Sequence, residues 1–567
     1  MSLMGALRMA SNTLRIDQIG VEVAGQNIAN ANTPGYIREE VLLTPAPMQR
    51  IGGLLMGMGA EVKGIVQKID NFLEDRLRGA VSERANGQAQ TETYQQLEQL
   101  VNGLSETDLA SSMNEFFASI SDVLNQQESV SVRNLAVLQG ETLTSDIQRM
   151  ANRAIELRNG VNERVEDMGE RINRLTEEIA RLNVRIAESE GGNTSSSDAV
   201  GLRDQRLNAL TDLASLISIR VEEQDSGGVV VYCGGDFLVY EGTQRPVTVT
   251  HESVDGLASA SVHLEETDSP LELNGGELLG LTKARDEILG GFINNLNEFA
   301  RTFAFEFNKI FSGGQGLTGY REATSEFAVD DETVALNSAL SGLEYTPGNG
   351  SFQIVVRNTK TGVAKTTDVK VNLTGLGEQT TLTSLIADLN KIPGLEAKSV
   401  NGGHLELKAS SADEEFSFAN DTSGVLAALG INTFFSGSST LDLGVSKVLQ
   451  KDPGKFAASR GGIGADTSNA IVLANFIDEP LASRNGNTIS VLYDQLTADV
   501  TQGAAIAKAS FEGASVFEQT LSAQKSATSG VNLDEEAINL MSYQHSYQAS
   551  ARFIKTIQEM LNLLMNI

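Results

Sequence analysis

Asn27-Ile28-Ala29-Asn30-Ala31-Asn32-Thr33-Pro34-Gly35-Tyr36 is the stretch from which the rest of this 567-residue chain is read. It has the chemistry of a helix exit. Asn is tolerated in the left-handed region at a helix C-terminus. Thr33 precedes Pro34 and is pushed to extended backbone. Pro34-Gly35 makes a turn, and Tyr36 supplies an amphipathic anchor beyond it. Upstream, Leu3, Leu7, Ala10, Leu14, Val21, Ala24 and Ile28 recur in steps of four and three, interrupted once by Asp17. That spacing predicts a heptad helix over Ser2 to Ala31 that packs along another helix.

The other end of the chain carries the same pattern. Leu533, Ala537, Leu540, Tyr547, Ala551, Ile554, Leu561 and Met565 keep a heptad, with Gln544 and Gln558 as polar interruptions. Towards the end Ile554, Ile557, Met560, Leu561, Leu563, Leu564, Met565 and Ile567 make the helix apolar on several sides. Chain ends are ordinarily polar and frayed. Two such helices are expected to bury each other as a pair, leaving further apolar faces for neighbouring copies.

Between the ends the pattern is nested. Arg84 to Gln127 reads as helix with a break at Asn102-Gly103, and Gln139 to Glu190 as one long helix. Its seam runs Met150, Ala154, Leu157, Val161, Val165, Met168, Ile172, Leu175, Ile179, Leu182, Ile186. One doubled step of four is a stutter that locally unwinds a left-handed supercoil. Gly191 to Ser197 reads as a loop and Asp198 to Leu216 as a helix. Ile217 to Val221, Val229 to Tyr232 and Phe237 to Tyr240 read as short strands. A helix returns over Glu277 to Phe311. Strands are expected at Ser351–Arg357, Thr367–Leu373, His404–Ala409 and Phe416–Ala419, with a helix over Leu382–Lys391. From Thr467 through Ala527 the chain reads as helical again.

Composition excludes several functions. Lys plus Arg is 43 and Asp plus Glu 74, a net charge of −31. That is the opposite of the basic footprint a duplex binder needs, so no nucleic-acid partner is expected, and an anionic bilayer is disfavoured. No apolar run approaches the roughly 20 residues of a membrane-spanning helix, so no membrane insertion is expected. Met1 to Gly20 lacks the apolar core of a cleavable signal peptide. Cys233 stands alone and Trp is absent. An internal disulfide and a thiolate metal cluster are therefore excluded.

Catalytic chemistry has no positive support. His251, His263, His404 and His545 form no metal-ligand spacing, and Gly461-Gly462-Ile463-Gly464 lacks the lysine and strand–helix context of a phosphate loop. The expectation is no enzyme, no catalytic residue, no metal and no cofactor.

Asn27 to Tyr36, with Asn27, Ala29, Asn30, Thr33, Pro34, Gly35 and Tyr36 as its defining residues, resembles the signature shared by flagellar rod, hook and hook-associated axial proteins. Ser529-Gly530-Val531-Asn532-Leu533-Asp534-Glu535-Glu536, continuing through Tyr543-Gln544 to Leu561, is similar to the matching C-terminal end of that superfamily. Leu202-Arg203-Asp204-Gln205-Arg206, Asn308 with Gly313 to Gly319, and Asp421 to Phe435 narrow the resemblance to the hook-associated branch at the hook–filament junction. One departure is Phe311, where many relatives carry His.

The resemblance implies a multidomain α+β fold. Its terminal helices pair as a coiled coil, a helical bundle forms the next layer, and β-rich domains are inserted in the middle. The expected divisions are 1–36 pairing with 530–567; a helical domain over 37–216 completed by 275–320 and 450–529; a β-rich domain over 217–274; and an inserted α+β domain over 340–440. It implies a structural protein of the bacterial flagellum that leaves the cell by flagellar type III export without a cleaved signal peptide. It also implies polymerisation through the terminal helices. Partners implied are further copies in a ring-like assembly, hook protein, the second junction protein and flagellin on the filament side, and a cytoplasmic export chaperone. The expected N-terminal assembly interface is Leu3, Leu7, Ala10, Leu14, Val21 and Ile28. The C-terminal assembly and chaperone interface is Leu533, Leu540, Tyr547, Ile554, Ile557, Leu561 and Leu564. Two alternatives stand beside this: another axial protein such as hook or distal rod, and a secreted coiled-coil adhesin or effector.

Overall fold

The computed structural model describes residues 3–51, 54–101, 109–191, 199–254 and 256–565. Its helices, in chain order, are α1 (Leu3–Asn30), α2 (Asn71–Val101), α3 (Leu109–Asn125), α4 (Val130–Glu190), α5 (Val200–Leu216), α6 (Gly276–Lys283), α7 (Gly290–Ser312), α8 (Leu382–Leu389), α9 (Val425–Leu429), α10 (Lys447–Lys451), α11 (Ser468–Ala474), α12 (Ile489–Ser529) and α13 (Leu533–Met565). Small antiparallel sheets lie between them, so the chain is mixed α+β with long helices at both ends. The helix break expected at Asn102-Gly103 and most of the expected 191–197 loop fall outside the described residues.

Three segments depart from the sequence reading. Residues 39–67, expected within a helical domain, hold the antiparallel pair Glu39–Pro45 and Ala60–Gln67, with an irregularity between Leu42 and Leu43. Their half-exposed alternation has period two, which a search for helical seams passes over. The helix expected over 277–311 is interrupted by a π-helical turn at Ala284–Leu289. That turn carries the buried Arg285, whose guanidinium donates to the carbonyl of Ala260 and, at 3.2 Å, to the side chain of Asn162. The helical run expected from Thr467 is broken between Ala474 and Ile489 by two short 3-10 turns. There Asn485 and Gly486 take positive φ.

The chain divides into two compact units. The first comprises Met1–Tyr94, Asn159–Ile288 and Ala504–Ile567. In it α1 pairs with α13, and α4 beyond residue 159 carries the four-stranded sheet of Arg220–Glu223, Val229–Cys233, Asp236–Tyr240 and Thr243–Gln244. The sheet is tied to the helix by Asn183. Its Nδ2 donates to the carbonyls of Val229 (2.9 Å) and Glu241 (2.7 Å), and its Oδ1 accepts from the Val229 amide (3.1 Å).

The second unit comprises Gln95–Arg158 and Leu289–Gly503. Its aromatic core gathers Phe116 and Phe117 of α3, Phe303, Phe307 and Phe311 of α7, and Phe434, Phe435, Phe456 and Phe476, all buried, with ring centroids 4.8–6.3 Å apart. Phe311 is 1 % exposed and packs edge-on against Phe456 and Phe434. Asn308 closes this core against the backbone: Oδ1 accepts from the amides of Phe434 and Phe435 and Nδ2 donates to the Phe435 carbonyl. The expected insertion is a pair of three-stranded sheets with α8 and α9 around Phe352, Ile354, Leu382, Leu385, Phe416 and Phe418. Thr381 and Ser384 form a capping box at the start of α8, which satisfies amides that a helix N-terminus leaves free.

Candidate functional site: the joined chain termini

Three pairings set the geometry of the terminal helices. Asn27 meets Glu536, a Cβ built on Gly20 would lie 2.7 Å from the ring of Tyr543, and Asp17 is hydrogen-bonded to the side chain of Ser546. Each step back along α1 is matched by an equal step forward along α13, so the helices run antiparallel.

The buried line of α1 is Ala6, Ala10, Ile16, Asp17, Gly20, Val23, Ala24 and Asn27. Of the expected N-terminal interface, Ala10 lies on that line. Leu3, Leu7, Leu14 and Val21 are half-buried on its flank, and Ile28 is exposed. On α13 only Glu536 and Ile557 are fully buried among the described residues, and Leu540, Tyr543, Ser546, Ser550, Ile554 and Leu561 are half-buried. Leu533, Tyr547 and Leu564, expected in the same seam, point to solvent, as do Ala537 and Ala551. The heptad period holds, but half of each seam sits one residue away from the apolar positions. Asp17, expected as an interruption, is a member of the buried line, 4 % exposed. Burial pushes its carboxyl up from the ordinary range, and the Ser546 hydroxyl partly opposes that.

The motif forms one end of this pair. α1 stops at Asn30, whose Nδ2 donates to the Gln26 carbonyl at 3.1 Å. The Thr33 amide donates to the Asn30 carbonyl and the Tyr36 amide to that of Thr33. No asparagine of the motif adopts the left-handed region expected of it; only Gly35 does, at φ 77°. A Cβ on Gly35 would also meet the Asn208 side chain of α5 at 2.1 Å, so both backbone and space require glycine there. Ala29 and Pro34 are solvent-exposed.

Asn27 is the centre. Its Oδ1 accepts from the Tyr36 hydroxyl at 2.8 Å and the Glu39 amide at 3.0 Å. Its Nδ2 donates to the Glu39 carbonyl at 2.9 Å and Glu536 Oε2 at 3.1 Å. Both donors and both lone pairs are used, the full capacity of an amide side chain. Glu536 in turn accepts at Oε1 from Arg38 Nε (2.8 Å) and Nη2 (2.7 Å), while Arg38 Nη1 reaches Glu535 at 2.8 Å. The Arg38 amide donates to the Ser529 carbonyl at 3.0 Å. The motif therefore joins the first helix to the last through one buried polar network. Sequence reasoning identified Asn27 and Tyr36 but missed Arg38 and Glu39, and quoted Glu536 without a role. The available signal was a glutamate at seam spacing, three residues into α13.

The comparisons fit this arrangement. Residues 7–36 match the flagella basal body rod protein family, and residues 524–567 match the C-terminal domain family of the basal body rod FlgEFG proteins. Residues 94–327 match the flagellar hook-associated protein FlgK helical domain. The chain belongs to the flagellar hook-associated proteins of the rod and hook axial superfamily. Flagellar hook-associated protein 1 of Salmonella typhimurium is 24% identical over 98% of this chain and 99% of its own length. The protein of that name from Escherichia coli K12 is 25% identical over 98% of each, and that from Bacillus subtilis 22% identical over 99% of this chain and 97% of its own. A solved structure, the flagellar hook junction protein FlgK from Burkholderia pseudomallei, aligns over 80% of this chain and all of that one, with 16% identity and a TM-score of 0.49. Both short family matches reach the polar network: the first ends at Tyr36, and 524–567 contains Glu536. This hook-associated chain is thus a flagellar structural protein by family.

Proposed function

We propose that the chain forms the junction between hook and filament, polymerising through its terminal helices after export in unfolded form. The observation that carries this reading is the one-sided burial of the terminal pair. α1 covers one face of α13 and leaves Ile538, Met541, Phe553, Met560, Leu563 and Leu564 exposed. An apolar surface of that extent on a helix pair is a surface for other chains. The partners in this reading are copies of the same chain, hook protein on one side, and the second junction protein and filament on the other. A cytoplasmic chaperone holds the C-terminal helix before export. Among the described residues no helix is long and apolar enough to cross a membrane.

The test is reconstitution. Purified chain is added to hooks isolated from a strain lacking it, and the tips are imaged by electron microscopy. Density at the distal tip that then permits flagellin to polymerise is the expected result. Bare tips beside folded, soluble chain overturn the junction role.

A further inference from the structure

α2 and α12 pack against each other through Leu73, Leu77, Ala80, Val81 and Leu521, flanked by the ion pairs Lys525–Glu74 at 2.8 Å and Arg84–Glu518 at 2.5 Å. Outside that small core stands a group with no part in it. Phe72 of α2 is 71 % exposed, and Phe517 of α12 is exposed as well. The guanidinium of Arg76 lies 5.7 Å from the centroid of each ring. Among the described residues Arg76 has no carboxylate partner, in a chain with 74 acidic residues. Stacking on the two rings holds the cation in place. Aromatic rings and arginine are enriched where proteins meet one another, so this face has the chemistry of an interface with nothing yet on it.

The first two turns of α13 carry the complement. Asp534, Ile538 and Met541 follow steps of four and three, so they share one face of the helix, and all three are exposed. Glu535 is taken by Arg38, and Glu536 by Asn27 and Arg38. The carboxylate of Asp534 has no partner among the described residues. A chain of ion pairs links this end of α13 to the start of α2. Arg38 reaches Glu535 at 2.8 Å and Glu40 at 3.9 Å, and Lys68, four residues before Phe72, reaches Glu40 at 3.8 Å. Yet among the described residues no hydrogen bond or ion pair joins the two faces themselves.

Resting on the reading that copies of this chain polymerise, we propose that the Phe72–Arg76–Phe517 face of one copy receives the first two turns of α13 from the next copy. Arg76 pairs with Asp534, and Ile538 and Met541 lie on the two rings. The carboxylate supplies the charge that the guanidinium lacks. The Met541 thioether against an aromatic ring is a favourable contact in its own right. The two faces differ, so the contact is heterologous: every copy offers one face and uses the other. Repetition of such a contact builds a ring or an open helix rather than a closed pair. Both exposed patches are then covered by a single kind of contact.

Charge exchange at hook tips tests the pairing. Arg76→Glu should leave the thermal melt unchanged, and Asp534→Arg should lower it slightly, because a cation in the first turn opposes the helix dipole. Each should cut tip occupancy about tenfold or more by setting like charges face to face. The double variant restores opposite charges and should recover most of the wild-type occupancy. Single variants that add like wild type, or a double variant no better than the singles, overturn the contact. Bare tips with wild-type chain overturn the junction role instead, and disulfide trapping in solution then decides the contact. Cys233 is buried and stays out of the reaction. An equimolar mixture of Arg76→Cys and Asp534→Cys chains, one of them tagged, should on oxidation give mixed dimers well above the statistical share. Mixed dimers at or below that share overturn the proposal.

Discussion

Nδ2 of Asn27 donates to Oε2 of Glu536 across 3.1 Å, a bond between residues 509 positions apart in the chain. It is the point at which the first helix, the family motif and the last helix become one object. Asn27→Ala removes this bond and leaves the Tyr36 hydroxyl and the Glu39 amide and carbonyl without the partners they use. A buried polar group left without its partner costs about 1–3 kcal/mol. The variant should lose about 3 kcal/mol of terminal-pair stability, read as faster cleavage of α13 in limited proteolysis. A double-mutant cycle with Glu536→Gln should show coupling. Additive effects would mean that the network is a set of separate bonds.

Two glycines of α1 offer a matched pair. A Cβ on Gly20 would lie 2.7 Å from three atoms of the Tyr543 ring, whereas one on Gly25 would meet nothing within 4 Å. Gly25→Ala should stabilise the chain by about 0.5–1 kcal/mol through helix propensity. Gly20→Ala gains the same propensity but forces the helices apart, and its melting temperature should fall. Equal rises in both would show that the ring moves aside without cost.

Gly35→Ala is opposed twice, by a φ of 77° and by the Asn208 side chain. Combining it with Asn208→Ala removes the clash and leaves the backbone strain of about 1–2 kcal/mol. Thermal melts should therefore show partial rescue. Full rescue would locate the requirement for glycine in space alone.

The faces of α13 separate folding from assembly. Ile557→Asp places a charge in the buried line and should melt the terminal pair by circular dichroism. Ile538→Asp and Met541→Asp, on exposed positions, should leave the melt within about 0.5 kcal/mol of wild type and abolish addition to hook tips. Leu561→Asp, half-buried, should impair addition with a smaller loss of helix. Normal incorporation of the exposed-face variants would remove α13 from the assembly surface.

The sequence by itself determined the heptad period at both ends, the long α4 helix, the strands and helix between residues 350 and 419, and the motif turn, because each is written in local spacing. Ala10 and Ala24, and Leu540, Ile554 and Leu561, were legible for the same reason. The tertiary structure alone decided the other half of each seam. Hydrophobic spacing selects Leu7, Leu14, Val21 and Ile28, while the residues seen to meet across the pair are Asp17, Gly20 and Asn27 on α1 and Glu536, Tyr543 and Ser546 on α13. Close helix packing favours small side chains where backbones approach, and a buried amide or carboxylate is tolerated only where partners from distant segments satisfy it. Arg38, which donates to Glu536 from 498 positions away, and Asp204, which accepts from Gln67 137 positions away, are such partners. Their role lies in a juxtaposition of distant segments, which no local pattern records.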